Sequence, residues 1–110
     1  MQTITDINQL TQLQSSGALF ILFGSEQCAV CHSLRPQLDA TLQQAFTDMR
    51  IIYIDCQTSP EICAQHSVFS LPVVRAYIDG MKIAEETGAF SIKQLIQTIE
   101  RPYRMWKESV

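Results

Sequence analysis

The sequence predicts an α/β fold, a central mixed sheet of four to five strands flanked by about four helices. Three observations predict it. Ala18-Leu-Phe-Ile-Leu-Phe23 and Ile51-Ile-Tyr-Ile54 are short, continuously apolar runs of the kind buried on both faces of a sheet. Segments of helical periodicity lie between the apolar runs, and strands joined through helices run parallel. Asp79-Gly80 stands between two further strand-like segments and marks an antiparallel hairpin that closes the sheet. The 110 residues suffice for one core and not for two.

Each element has its own signal. Ile4, Ile7, Leu10 and Leu13 recur at a spacing of three and predict a helix from about Asp6 to Ser15, capped by Asp6 and ended by Gly17. Gln2–Thr5 could add a first strand ahead of it. After the apolar strand 18–23, Leu34, Leu38, Leu42 and Phe46 recur every four residues and predict a helix from about Val30 to Thr47, with Pro36 kinking it near its start. The second apolar strand closes at Asp55 and Cys56. Ser59-Pro60-Glu61 starts a short helix to about His66, with proline at its first position. Val73–Ile78 and Met81–Thr87 form the hairpin, and Gly88 breaks it. Ser91 and Gln94 read as a capping box, and Ile92, Leu95, Ile96 and Ile99 line the inner face of a last helix.

Composition excludes several functions. The chain is 46% hydrophobic and 17% charged with a net charge of −3, which leaves no broad basic surface for nucleic acid. Its longest apolar run, residues 18–23, is far short of the ~20 residues a membrane helix needs. The start, Met1-Gln-Thr-Ile-Thr-Asp-Ile7, lacks the basic and apolar regions of a signal peptide, so the expected setting is a reducing cytoplasm. There the four cysteines, Cys28, Cys31, Cys56 and Cys63, suit redox chemistry or metal binding more than structural staples.

Cys28-Ala29-Val30-Cys31 carries the strongest chemical signal, because it lies between a buried strand and a helix. Two residues between cysteines in a helix's first turn bring the sulfurs within disulfide reach. The first sulfur then sits among unpaired backbone N–H groups at the positive end of the helix dipole, which favours thiolate. Lowering a thiol pKa from about 8.5 to about 7 raises the attacking species at neutral pH roughly tenfold, partly offset by lower nucleophilicity.

Phe23-Gly-Ser-Glu26-Gln27-Cys28-Ala-Val-Cys31, with Pro36 five residues on, Leu71-Pro72, and Gly88-Ala-Phe-Ser91, resembles thioredoxin in both motif and separation over about residues 1–100. The resemblance implies the thioredoxin fold for residues 1–100, with residues 101–110 a C-terminal tail. It implies a thiol–disulfide oxidoreductase in which Cys28 is the nucleophile and Cys31 resolves the mixed disulfide. Pro72 would be cis and turn the Leu71 backbone toward a bound substrate strand, with Gln27, Ala29 and Val30 beside it. Implied partners are protein disulfide substrates and a recycling reductase, with no cofactor, no metal, no nucleic acid and no membrane, and the chain a monomer. Three positions depart from the family: Gln27 replaces its tryptophan, Ala29-Val30 its Gly-Pro, and Leu22 the buried acid thought to move protons at the resolving thiol. Proton transfer at Cys31 then falls to water, Glu26 or His32.

Other readings stand beside this one. Cys28-Ala-Val-Cys31-His32 also spells a haem attachment signature, which the leaderless α/β pattern disfavours. A zinc site would need 28/31 to meet 56/63, and a second C-x-x-C is absent. Some members of the family carry an extra cysteine pair near Cys56 and Cys63, which makes these a possible second redox pair. Residue type favours two partly buried free thiols. Glu26 reads as a solvated loop charge, His32 as an exposed first-turn residue able to tune Cys28, and His66 as a helix-end residue near the negative pole. Tyr103, Trp106, Arg101, Arg104 and Lys107 could form a docked helical tail, with a frayed terminus the expected state.

A second reading, from another class, is a non-catalytic thioredoxin-fold binding or assembly module.

Overall fold

The computed structural model describes residues 1–110. Its elements are β1 (Gln2–Thr3), α1 (Ile7–Ser15), β2 (Ala18–Gly24), α2 (Ala29–Ala45), β3 (Arg50–Asp55), α3 (Pro60–Gln65), β4 (Val73–Ile78), β5 (Met81–Thr87) and α4 (Ile92–Ser109). The strands form one sheet in the order β1-β3-β2-β4-β5. β1, β3 and β2 are parallel, while β4 is antiparallel to β2 and β5 to β4. The fold is therefore the mixed sheet with helices on both faces, with the optional first strand present but only two residues long.

β2 is central because every one of its side chains is buried. Alternation sends Leu19, Ile21 and Phe23 to one face, where Leu10 of α1 and Ile62 of α3 cover them. Phe20 and Leu22 go to the other, against Leu38 and Leu42 of α2 and Leu95 and Ile99 of α4. Each fully buried Leu, Ile or Phe contributes roughly 1.5–3 kcal/mol, so a polar residue in β2 would be costly on either side.

Local signals set the ends of the elements. Asp6 caps α1, its Oδ1 accepting the Asn8 N–H at 2.9 Å. Asp79 (φ 48°) and Gly80 (φ 84°) make the two-residue hairpin turn, where left-handed backbone matches the strand twist. Asp79 also fastens the α1–β2 connection, its Oδ1 accepting from Gly17 N at 2.7 Å and its N–H donating to Gly17 O at 2.9 Å. Ser91 caps α4 by accepting the Gln94 N–H at 3.2 Å; the return bond that would complete a capping box is absent.

The expectation of a frayed terminus is corrected: α4 continues through Pro102 to Ser109. Proline removes one helix hydrogen bond. Docking offsets that loss. Tyr103 is buried, its ring centroid 4.8 Å from Phe46 and 5.7 Å from Trp106, and its hydroxyl accepts the Asp48 N–H at 3.0 Å. Lys107 pairs with Asp48 beyond it. The terminal aromatics thus close the loop between α2 and β3.

Candidate active site

The C-terminal end of β2 delivers the chain to α2 through Ser25–Cys28, a turn closed by the Cys28 N–H donating to Ser25 O at 3.2 Å. Cys28 is the N-cap of α2 in extended conformation, and its Sγ accepts the Cys31 N–H at 3.3 Å. The first sulfur therefore takes the place that a Ser or Asp side chain takes at an ordinary helix start. Cys28 is half-buried and Cys31 only 2% exposed. The two form a disulfide with Cα atoms 5.2 Å apart. Gln27, Ala29 and Val30 are exposed around the pair.

Register brings a second segment to the same end of the sheet. Phe23 pairs with Val73, which sets Pro72 beside Gly24. The Leu71–Pro72 peptide is cis, and Pro72 is held by its carbonyl accepting the Gly88 N–H at 2.9 Å. Leu71 is half-buried, and neither its N–H nor its C=O enters a backbone hydrogen bond. It is an open edge beside a disulfide.

Gly24 is the junction of the site. A Cβ there would stand 3.1 Å from Cys31 Cβ, Cys31 Sγ and Tyr53 Cε1. A side chain at this position would make Cys31 or Tyr53 give way by a few tenths of an ångström. Tyr53 thus lies under Cys31, a placement that the sequence reading missed. Its phenol pKa is pushed up by burial and by the Asp55 and Glu26 carboxylates, against the pull of Arg35. The Arg35 guanidinium covers the Tyr53 ring at 3.9 Å. The available signal was parity: in Ile51-Ile-Tyr-Ile54, Ile51 and Tyr53 share the α2/α4 face, level with the end of β2. Leu22, two residues before Gly24, is fully buried on that face, so no carboxylate lies in the sheet at that position.

Glu26 and His32 are exposed, as expected, but they are not independent. His32 Nε2 donates to the Glu26 carbonyl at 2.7 Å and lies 3.5 Å from the Glu26 carboxylate. Since a carbonyl only accepts, Nε2 carries the proton. The imidazole clasps the loop that leads into Cys28.

Cys56 and Cys63 differ from the favoured expectation of free thiols. They form a disulfide with Cα atoms 5.6 Å apart, joining the end of β3 to α3. Cys56 N–H donates to Gly24 O at 2.8 Å as the last rung of the β2–β3 ladder, and the turn after it, closed by Ser59 N–H donating to Asp55 O at 2.8 Å, leads into α3, where the two sulfurs meet. This pair packs on the α1/α3 face, whereas Cys31 lies over Tyr53 on the other, so the four cysteines do not converge. His66 caps α3, but its pKa moves opposite to what a negative helix end would give. Burial, and then the Arg75 guanidinium, hold it below the usual histidine value. The largest surface groove, about 760 Å³ between the β4–β5 turn and Trp106, lies at the far end of the molecule. Thiol exchange with a protein needs an open face such as the one around Cys28, not an enclosed cavity.

No helix is long and apolar enough to cross a membrane. Solved thioredoxins share this architecture; the oxidised thioredoxin of Plasmodium falciparum superposes with a TM-score of 0.78 at 21% identity, over 91% of this chain and 98% of that one. Among curated proteins, the thioredoxin-like protein YdfQ of Bacillus subtilis is 33% identical over 80% of this chain and 78% of its own length. A thioredoxin of Chlamydia trachomatis is 31% identical over 79% of this chain and 84% of its own. The model of the Thioredoxin family matches residues 1–101, a span that holds both the N-terminal cap made by Cys28 and the cis-proline beside it. That span and those identities mean that the chain belongs to the thioredoxin family, which together with the Cys28–Cys31 pair supports thiol–disulfide oxidoreductase activity in general.

Proposed function

We propose that the chain reduces or exchanges disulfides of protein substrates through Cys28 and Cys31, as a cytoplasmic monomer returned to the dithiol form by a separate reductase. The observation that carries this reading is the seat of Cys28: half-exposed, at the N-cap of a 17-residue helix, with its sulfur already accepting a backbone N–H. A thiolate there gains from the same donor and from the helix dipole.

The reaction runs in two exchanges. The Cys28 thiolate attacks one sulfur of the substrate disulfide, forming a mixed disulfide and releasing the other sulfur as a thiolate that takes a proton. Cys31 then loses its proton and attacks Cys28 Sγ. The Cys28–Cys31 disulfide forms, and the second substrate sulfur leaves as thiolate. Two electrons have passed to the substrate, and the reductase supplies two back. The Leu71 backbone, unpaired in the chain, would hold the substrate strand during both steps. With leucine at position 22, the Cys31 proton leaves through water or toward the Glu26–His32 pair at the loop.

Cys31→Ser keeps the attack but removes the resolution. It should accumulate disulfide-linked partners in cells, seen on a non-reducing gel and lost on reduction. Cys28→Ser should trap few, because Cys31 is buried. More trapping by Cys28→Ser would reverse the two roles. The second reading, a binding or assembly module with little turnover, is favoured by buried Leu22 and by Gln27. Sustained insulin reduction with a supplied reductant opposes it, and no turnover together with no trapping would establish it.

A further inference from the structure

Phe69 is 84% exposed, the most exposed large apolar residue of the chain. It does not dangle. On one side Val68 is buried, and its N–H donates to Cys63 O at 2.8 Å. On the other, half-buried Leu71 packs against the α1/α3 core and Pro72 is fixed by Gly88. Two anchored flanks hold the aromatic ring in water, although a free loop of this length could turn it inward. The loop also sits at the reactive end. Phe69 is three residues from Pro72, so its Cα lies within about 11 Å of a residue paired beside Gly24. Val30, between the cysteines, is 53% exposed at the same end. No backbone hydrogen bond engages Phe69, Ser70 or Leu71. Gln27, beside Cys28, supplies no aromatic surface of its own.

Resting on the thiol-exchange reading above, we infer that Phe69 is a specificity-determining residue: its ring receives a large apolar side chain flanking the cysteine of a protein disulfide substrate. An exposed aromatic with two side-chain torsions gives large contact area at small entropic cost, which is what makes aromatic residues dominate interfaces. The occupant is a substrate segment laid along 69–71, because that stretch combines unpaired backbone with an exposed apolar ring three residues before the cis-proline at the Gly24 end of the sheet.

The test uses the full chain, reduced and freed of reductant, and three disulfides. Two are peptides that differ only in having leucine or serine on both sides of the cysteine. The third is bis(2-hydroxyethyl) disulfide, which has no side chains to recognise. The native protein should reduce the leucine peptide about tenfold faster than the serine peptide, the scale of burying one aromatic contact. Phe69→Ser should cut that preference to about threefold or less, and Phe69→Leu should keep most of it. Rates with bis(2-hydroxyethyl) disulfide and melting temperatures should be unchanged. A native protein without preference, or a preference that survives Phe69→Ser, overturns the inference. A native protein inert to all three disulfides overturns instead the thiol-exchange reading beneath it.

Discussion

The two disulfides are the same bond in two settings. Cys28 caps a long helix, is half-exposed, and has a backbone N–H aimed at its sulfur. Cys63 lies within the six residues of α3, is 3% exposed, and its partner Cys56 follows Asp55 at the end of β3. The backbone donors at that turn are taken by a carboxylate, since Asp55 Oδ1 accepts from Gln57 N at 2.8 Å and from Thr58 N at 3.3 Å. The Cys28 sulfur is thus offered a backbone donor at the positive end of a long helix, whereas Cys63 is buried and Cys56, half-buried like Cys28, leaves a turn whose donors are already taken. Reactivity of a cystine follows from what surrounds the leaving thiolate more than from the bond.

The largest test of that contrast is activity. On the proposed mechanism Cys28 forms the covalent intermediate, so Cys28→Ser should lower disulfide reductase turnover by at least about a thousandfold. The paired replacement of Cys56 and Cys63 by serine should leave the rate within about threefold. Equal losses in insulin reduction would show that the second pair takes part in electron transfer. Under mild oxidation of the reduced protein, mass spectrometry should find the 28–31 bridge before the 56–63 bridge; the opposite order would reverse the comparison.

Stability should show the converse. The Cys56–Cys63 bridge closes a loop with a sequence separation of 7. On the chain-entropy account a loop that short is worth about 2.5 kcal/mol, or roughly 10 °C for a domain of this size. The oxidised native protein and the double serine variant, compared by thermal melting, should differ by that much. A difference under about 2 °C would mean that the reduced chain already holds α3 in place.

Gly24 joins the two settings, and Gly24→Ala separates them. Its carbonyl binds Cys56, and that bond does not involve the Cα substituent. Its Cα faces Cys31 and Tyr53, where a new methyl would stand at 3.1 Å. The cost should be about 1–3 kcal/mol, the range of overpacking in a tight core. It should fall on the dithiol, with slower resolution of the mixed disulfide and an unchanged 56–63 bridge. An unaltered resolution rate would show that α2 moves aside freely.

Legibility divides along the same lines. β2, the Asp79-Gly80 hairpin and the N-terminal seat of Cys28 were readable because apolar runs, turn dipeptides and caps are local. The Leu71–Pro72 landmark was readable only from its separation from Cys28. What was missed depends on contacts distant in sequence. Tyr53 under Cys31 needs the β2–β3 register, and the 56–63 bridge needs β3 anchored against Gly24 before the chain turns at Asp55–Ser59. The end of α4 looked free because Pro102 breaks isolated helices, whereas Tyr103 finds Phe46 and Asp48 in the fold. Phe69 carried no sequence signal, since exposure is decided by how its two neighbours are pinned.

The smallest effect expected is in the pH dependence of stability around the second pair. His66 lies one turn beyond Cys63, its ring 5.9 Å from Phe23, and its carbonyl accepts from Arg75 Nη1 at 2.8 Å. Burial, and then the Arg75 guanidinium, lower its pKa in the folded state, so the fold favours neutral imidazole. In the unfolded chain the group returns to about 6.5. As pH falls below that value, the unfolded state takes up a proton that the folded state resists, and stability falls with it. The contribution is fully present above about pH 6.5 and is lost on acidification. Glu85 acts in the same direction, held low by its bonds to Lys82 and Arg75, but only at more acidic pH, where carboxylates protonate. His66→Gln should therefore narrow the gap between melting temperatures at pH 7.5 and 5.5. His32, exposed and clasped to Glu26 at the dithiol end, remains in both proteins and cancels in that difference. A gap of equal size in the variant would mean that the imidazole gains its proton without cost, and that the α3 end is as open to solvent as the face around Cys28.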